Sequence, residues 1–266
     1  MSAVLASGTL AADGGGFVTP GPVDFWQPLI GDGDYALTRP AIVLVLSVGV
    51  LAWFFVSISR RLALVPSKSQ FAAESVYGLV RNGLARDIIG SRDFLKFVPM
   101  LLTMFLMILL NNLAGVIPFV QFPSFSRIGF PIALTLVVYV VYQTVAFRRK
   151  GFFGYMKSLV PAGVPGWLKP LMFVLEFVTY FISRPVSLAL RLFGNMFAGH
   201  LLLLIFTLGG EYLLLHGAPA IKVSGVVSFA FSILMSFFEV LVEFLQAYIF
   251  TLLAALYIAG AVADEH

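Results

Sequence analysis

Two sets of polar side chains recur at helical spacing inside sequence that is otherwise apolar. Ser183, Ser187, Arg191 and Asn195 fall four apart within a sparsely charged stretch covering residues 171–206. Residues three and four apart share a helix face, so these four make one polar stripe. A guanidinium near a bilayer centre costs about 2.5 to 3.5 kcal/mol even on lenient insertion scales, so it normally lines a protein interior or an ion path. The second set, Ser228, Ser232, Ser236, Glu239, Glu243 and Gln246, advances by four, four, three, four and three residues and also lies on one face. Serines at this spacing, taken alone, indicate close helix packing. Glu239 and Glu243 are different, because a carboxylate inside a membrane either pairs with a cation or passes protons.

His200 stands nine residues beyond Arg191, and at about 100° per residue a continuous helix places the two on opposite faces. An imidazole with an ordinary pKa of about 6.5 exchanges protons near neutral pH, and a neighbouring carboxylate moves that value. With Glu239 and Glu243 it makes a proton relay; taken alone, it reads as a satisfied interior histidine. Arg184, seven residues before Arg191, is expected to snorkel toward the headgroups. Glu176, about four turns before Arg191, either borders a second aqueous path or is an interfacial carboxylate. The chain has no cysteine, so disulfides and thiolate metal sites are excluded, and neither a cofactor nor a metal is expected.

The elements that position these residues follow from composition. Apolar residues make up 60% of the 266, charged residues 11%, and the mean hydropathy is +0.98. Soluble proteins average about 45 to 50% apolar and about 25% charged. The expected fold class is an all-α integral membrane protein with about five membrane helices plus an amphipathic surface helix. The first span covers residues 41–58, the second 97–120 and the third 131–147, with a hairpin around Pro118 and Pro123; the last covers 226–262. Residues 171–206 as one helix would reach about 54 Å at 1.5 Å per residue, against a hydrocarbon core of about 30 Å. Only Pro185 and Gly194-Asn195 are candidate breakers there, so one long, steeply tilted helix carrying Arg191 is expected rather than two spans.

Residues 67–89 mix apolar side chains with Lys68, Glu74, Arg81 and Arg86, the pattern of an amphipathic helix on the cytoplasmic membrane surface or of a solvated loop. Arg60, Arg61, Lys68, Arg81, Arg86, Arg92 and Lys96 precede the second span, and Arg148, Arg149, Lys150, Lys157 and Lys169 follow the third. By the positive-inside rule both segments are cytoplasmic. Residues 1–40 are then an extracytoplasmic tail without the features of a cleaved signal peptide, residues 41–266 a single membrane domain, and the C-terminus cytoplasmic. The net charge of +4 resides in these loops and gives no reason to expect nucleic-acid binding. No phosphate loop of the form GxxxxGK followed by Ser or Thr is present, so ATP chemistry is not expected in this chain.

The segments SRPVSLALRLFGNMFAGH, residues 183–200, and EVLVEFLQAYIFTLLAALYI, residues 239–258, closely resemble the subunit a family of rotary F-type ATP synthases. The likeness extends over most of the chain from about residue 41, and Asn112-Leu113 before Pro118 adds a weaker match. The resemblance implies a proton-translocating stator of the membrane sector, with Arg191 facing a rotating ring of c subunits. It implies an outside half-channel using His200, Glu239, Gln246, Asn195, Glu243 and Asn112, and a cytoplasmic one running past Glu176, Ser183 and Ser187. Some family members carry Glu at the His200 position and His at the Glu239 position, so this chain has the exchanged arrangement. Gly115 stands where some members have an acidic residue. The implied partners are the c-ring, the peripheral stalk subunit b, other ATP synthase subunits and the lipid bilayer, in a bacterial plasma membrane. The alternative is a secondary ion-coupled transporter with a midplane site, but the inverted repeats and broken helices frequent in such folds are not evident. A purely structural scaffold would leave Arg191, Glu239 and Glu243 as needless costs.

Overall fold

The computed structural model describes residues 28–30, 37–60, 63–117, 124–160 and 163–263. A short β1 (Pro28–Ile30) pairs antiparallel with β2 (Leu37–Thr38), and helices follow. α1 (Arg39–Ser59), α3 (Val98–Val116) and α4 (Gly129–Ser158) correspond to the first three expected spans. α4 runs 11 residues past the expected end at Phe147. It turns at Gly151, whose φ of 67° is unfavourable for a residue bearing a Cβ. Pro118 and Pro123, at the expected hairpin, lie outside the described residues, as does most of the tail.

Residues 67–89 are helical. Ser67 caps α2 (Lys68–Gly78) by accepting from the Gln70 amide, and the chain continues through a wide π turn, Leu79–Arg86, into Asp87–Ile89. Val80, Leu84, Ala85 and Ile89 are buried, while Lys68, Glu74 and Arg86 are exposed, which is the amphipathic pattern.

α5 (Lys169–Val178), a π turn at Thr179–Ser183 and α6 (Arg184–His216) form one helical run of 48 residues, Lys169–His216. No polar turn divides it, in agreement with the expectation of one long helix. At 1.5 Å per residue it would reach about 72 Å, more than twice the hydrocarbon thickness of about 30 Å, so it crosses obliquely or projects beyond the bilayer. α7 (Pro219–Val262) is similarly long at 44 residues. Five of the described helices are long and apolar enough to cross a membrane.

The chain forms two compact units. The first contains Leu109–Ser126 and Gly194–Leu245 with the chain up to Ser47. Asn111 Nδ2 donates to Ser47 Oγ at 2.8 Å, and Ser124 Oγ donates to the Pro40 carbonyl at 3.0 Å. Here α6 and α7 meet through small residues: a Cβ on Gly225 would lie 2.8 Å from Leu214 Cγ and 3.0 Å from the Gly210 carbonyl. Ser228 Oγ donates to the Phe206 carbonyl at 2.7 Å, a bond from α7 to α6. Small residues and hydroxyls of this kind hold membrane helices together where the surrounding lipid is as apolar as the side chains.

The second unit comprises Val48–Ile108, Arg127–Phe193 and Gln246–His266. Its core is apolar, with Leu84, Leu101, Phe105, Leu188, Phe250 and Ile258 fully buried. Buried Ala247, Ala254 and Ala255 let neighbouring backbones approach α7. Tyr142 donates its hydroxyl to the Tyr180 carbonyl at 2.8 Å and meets the Tyr257 ring edge-on. At a polar boundary, the Asp93 carboxylate accepts from Lys96 Nζ at 2.8 Å and from Arg149 Nη2. These two cations hold the Asp93 pKa below the usual carboxylate range.

Candidate functional site

The first polar stripe lies on an outward face. Leu188, Ala189 and Leu192 anchor one side of α6 in the core, while Ser183, Ser187, Arg191 and Asn195 are all exposed. Ile182, Val186 and Leu190 beside the stripe are exposed as well. A cation embedded in an exposed apolar face suits another membrane helix better than water. Among the described residues no carboxylate pairs with Arg191.

Arg184 behaves differently. Its guanidinium lies over the Tyr180 ring at 3.5 Å from the centroid and 5.1 Å from that of Tyr257. Snorkelling toward the headgroups is the expectation for this cation, and the structure adds an aromatic clamp, a favourable cation–π arrangement. Glu176 is half-buried on α5. The π turn at Thr179–Ser183 separates it from Ser187. One extra residue in a turn rotates what precedes it by about 100°, so Glu176 does not keep the register that uniform α spacing gives.

The second stripe forms an interior cluster in the first unit. His200, Glu239 and Glu243 are 5%, 7% and 4% exposed, and their donor atoms lie within 4.8 Å of one another. His200 Nδ1 is 2.8 Å from Glu239 Oε1 and 3.1 Å from the Met196 carbonyl. A carbonyl only accepts, so Nδ1 carries the proton and Nε2 is the acceptor in the neutral ring. With the proton on Nδ1, Nε2 keeps the lone pair that takes up a further proton, and the three side chains are close enough to exchange protons. Two buried carboxylates beside one imidazole give a cluster whose charge depends on where its protons sit, as a relay requires.

Small residues make room for the cluster. Gly199 precedes His200 on α6, and a Cβ there would lie 2.7 Å from Glu239 Oε1. Asn112 Nδ2 donates to the Glu243 backbone carbonyl at 3.3 Å, bringing α3 against the cluster-bearing part of α7. Ser232 and Ser236 donate to the carbonyls of Phe229 and Ser232, so both hydroxyls are bonded to the backbone of α7 itself. Gln246 is buried further along α7, within the second unit.

Sequence reasoning missed Asn111, which is fully buried and donates to Ser47. It also missed buried Gln143. Adjacent Asn111-Asn112 in an apolar helix and Gln143 directly after Tyr142 in an apolar run were the available signals. Neither repeats at a helical period, so the spacing argument passed over them.

The ATP synthase A chain family model matches residues 41–259. The ATP synthase subunit a of a Nocardioides species is 48% identical over 273 residues, covering 98% of this chain and 99% of the relative. That of Pseudarthrobacter chlorophenolicus is 42% identical, covering 96% of this chain and 97% of the relative. The corresponding protein of Streptomyces lividans is 39% identical, covering 96% and 91%.

Proposed function

Because the chain belongs to the ATP synthase A chain family, we propose that it is the membrane stator of an F-type ATP synthase and leads protons to and from a ring of c subunits. The observation that carries this reading is Arg191: a cation on an exposed, apolar helix face with no carboxylate of its own chain among the described residues. Its counter-charge then comes from outside the chain. A c-subunit carboxyl within about 4 to 6 Å would be driven to its ionised form and release its proton. The same positive charge opposes direct proton passage between two access paths, so protons travel around the ring and transport becomes rotation.

His200, Glu239 and Glu243 form the relay on the outside path, which also uses Asn195, Gln246 and Asn112. Glu176, Ser183 and Ser187 border the cytoplasmic path. The peripheral stalk subunit b and the other ATP synthase subunits are the remaining partners. The protein lies in a bacterial plasma membrane with its N-terminus outside and its C-terminus in the cytoplasm. The basic residues between positions 148 and 169 support this orientation.

The test is Arg191→Ala in membrane vesicles carrying the assembled complex. ATP-driven proton pumping and proton-driven synthesis are both expected to be lost while ATP hydrolysis persists. Coupled synthesis at the unsubstituted rate would overturn the reading and favour a transporter with its own site.

A further inference from the structure

We propose that Gly115 is the positioning residue for His200: it leaves the hollow that receives one edge of the imidazole, directing Nδ1 to Glu239 and making Nε2 the atom that takes up the proton. The inference rests on the reading of His200 as part of the proton path. A Cβ at Gly115 would lie 2.3 Å from His200 Nε2, 2.6 Å from Cε1 and 3.6 Å from Cδ2. Non-bonded heavy atoms normally approach to about 3.5 Å, so the ring fills the volume that any side chain at 115 would need.

At the other edge Nδ1 hydrogen-bonds the Met196 carbonyl at 3.1 Å and lies 2.8 Å from Glu239 Oε1, which accepts no hydrogen bond among the described residues. Nε2 is buried and has no hydrogen-bond partner among the described residues. A methyl group at 115 would overlap this edge and turn the ring away from Met196 and Glu239. A proton taken up at Nε2 gives the imidazolium, and the Nδ1 proton then passes to Glu239 Oε1. Uptake and release lie on opposite edges of the ring, so the transfer has a direction only if the ring keeps one orientation. The ionisable groups facing it are Glu239 and Glu243 of α7. α3, which carries Gly115, has no ionisable residue, and α6 has none within four residues of His200.

The test uses the intact complex in membranes, with 15N-labelled histidine and His200 assigned by the difference from a His200→Gln sample. Neutral His200 is expected as the Nδ1–H tautomer. Gly115→Ala is expected to change that spectrum, shift the pH profile of ATP-driven pumping and lower its rate at least about tenfold, since a displacement near 1 Å costs this much or more in positioned chemistry. An Nε2–H tautomer in the unsubstituted protein would overturn the proposal, as would a Gly115→Ala complex with unchanged spectrum and pH profile. If Gly115→Ala fails to assemble, the tautomer of the unsubstituted protein decides alone. Full pumping by His200→Gln would instead overturn the proton-path reading, whichever tautomer is found.

Discussion

Arg191 and Glu239 are both ionisable groups inside apolar helices, yet their surroundings are opposite. Arg191 sits on an exposed face and finds no carboxylate among the described residues. Glu239 is 7% exposed, 2.8 Å from an imidazole and close to a second carboxylate. A charge in a membrane must be compensated. Within its own unit Glu239 has an imidazole beside it, whereas on the proposed reading the counter-charge of Arg191 comes from another subunit. Spacing alone makes the two stripes look alike, and burial separates them.

The sharpest way to break the contrast is to remove each charge and compare assembly with activity. Arg191→Ala is expected to lower coupled proton pumping by roughly 100-fold or more, the scale of losing a positioned electrostatic group. The complex should assemble at normal abundance, because Arg191 holds no intrachain ion pair among the described residues. Quantified pumping beside immunoblots of the membranes would check both halves.

Glu239→Gln is expected to lower pumping by about 10- to 100-fold, within the range for a lost general acid or base or a little below it. It should also reduce the amount of assembled complex, because the buried imidazole loses its partner. The exchanged pair His200→Glu with Glu239→His keeps one imidazole and one carboxylate, so it should regain part of the activity lost in either single variant. Equal inactivity of all three would show that the order of the pair matters more than its chemistry.

A smaller effect should come from packing alone. Gly225→Val drives new atoms into Leu214 and the Gly210 carbonyl, which lie 2.8 and 3.0 Å from where the first of them would sit. Overpacking of this kind costs about 1 to 3 kcal/mol. It should lower thermal stability of the complex and leave the pH profile of pumping unchanged.

Asp93→Asn is expected to have the smallest effect, because this carboxylate carries both its cations with it at a polar boundary. Its pKa is depressed by Lys96 and Arg149, so its stabilisation is present above the unfolded value of about 3.9 and is lost as pH falls through the folded value. The variant should therefore be slightly less stable near neutral pH and indistinguishable from the unsubstituted protein in strong acid. Thermal melts across pH would show the two curves converging.

Much of this arrangement is legible in the sequence. Long apolar runs fix the helices, and the four-residue steps from Ser183 to Asn195 fix a common face. The nine-residue separation of Arg191 and His200 agrees with one being exposed and the other buried. Three features were hidden, each for a physical reason. The π turn at Thr179–Ser183 leaves no mark in hydropathy, although it changes the register of Glu176. The clamp on Arg184 depends on Tyr257, 73 residues away in the chain. The hollow at Gly115 reads in sequence only as a missing side chain, since a glycine gives no sign of what occupies its space.

The most direct test of the outward-facing stripe is a cross-link. The chain has no cysteine, so Ser187→Cys supplies a single thiol on the Arg191 face. The account predicts a disulfide between this position and a cysteine placed beside the c-subunit carboxylate, in complexes that were active before oxidation, with rotation-dependent activity lost on oxidation and regained on reduction. Active complexes in which Ser187→Cys forms no cross-link to any c-subunit position would contradict it.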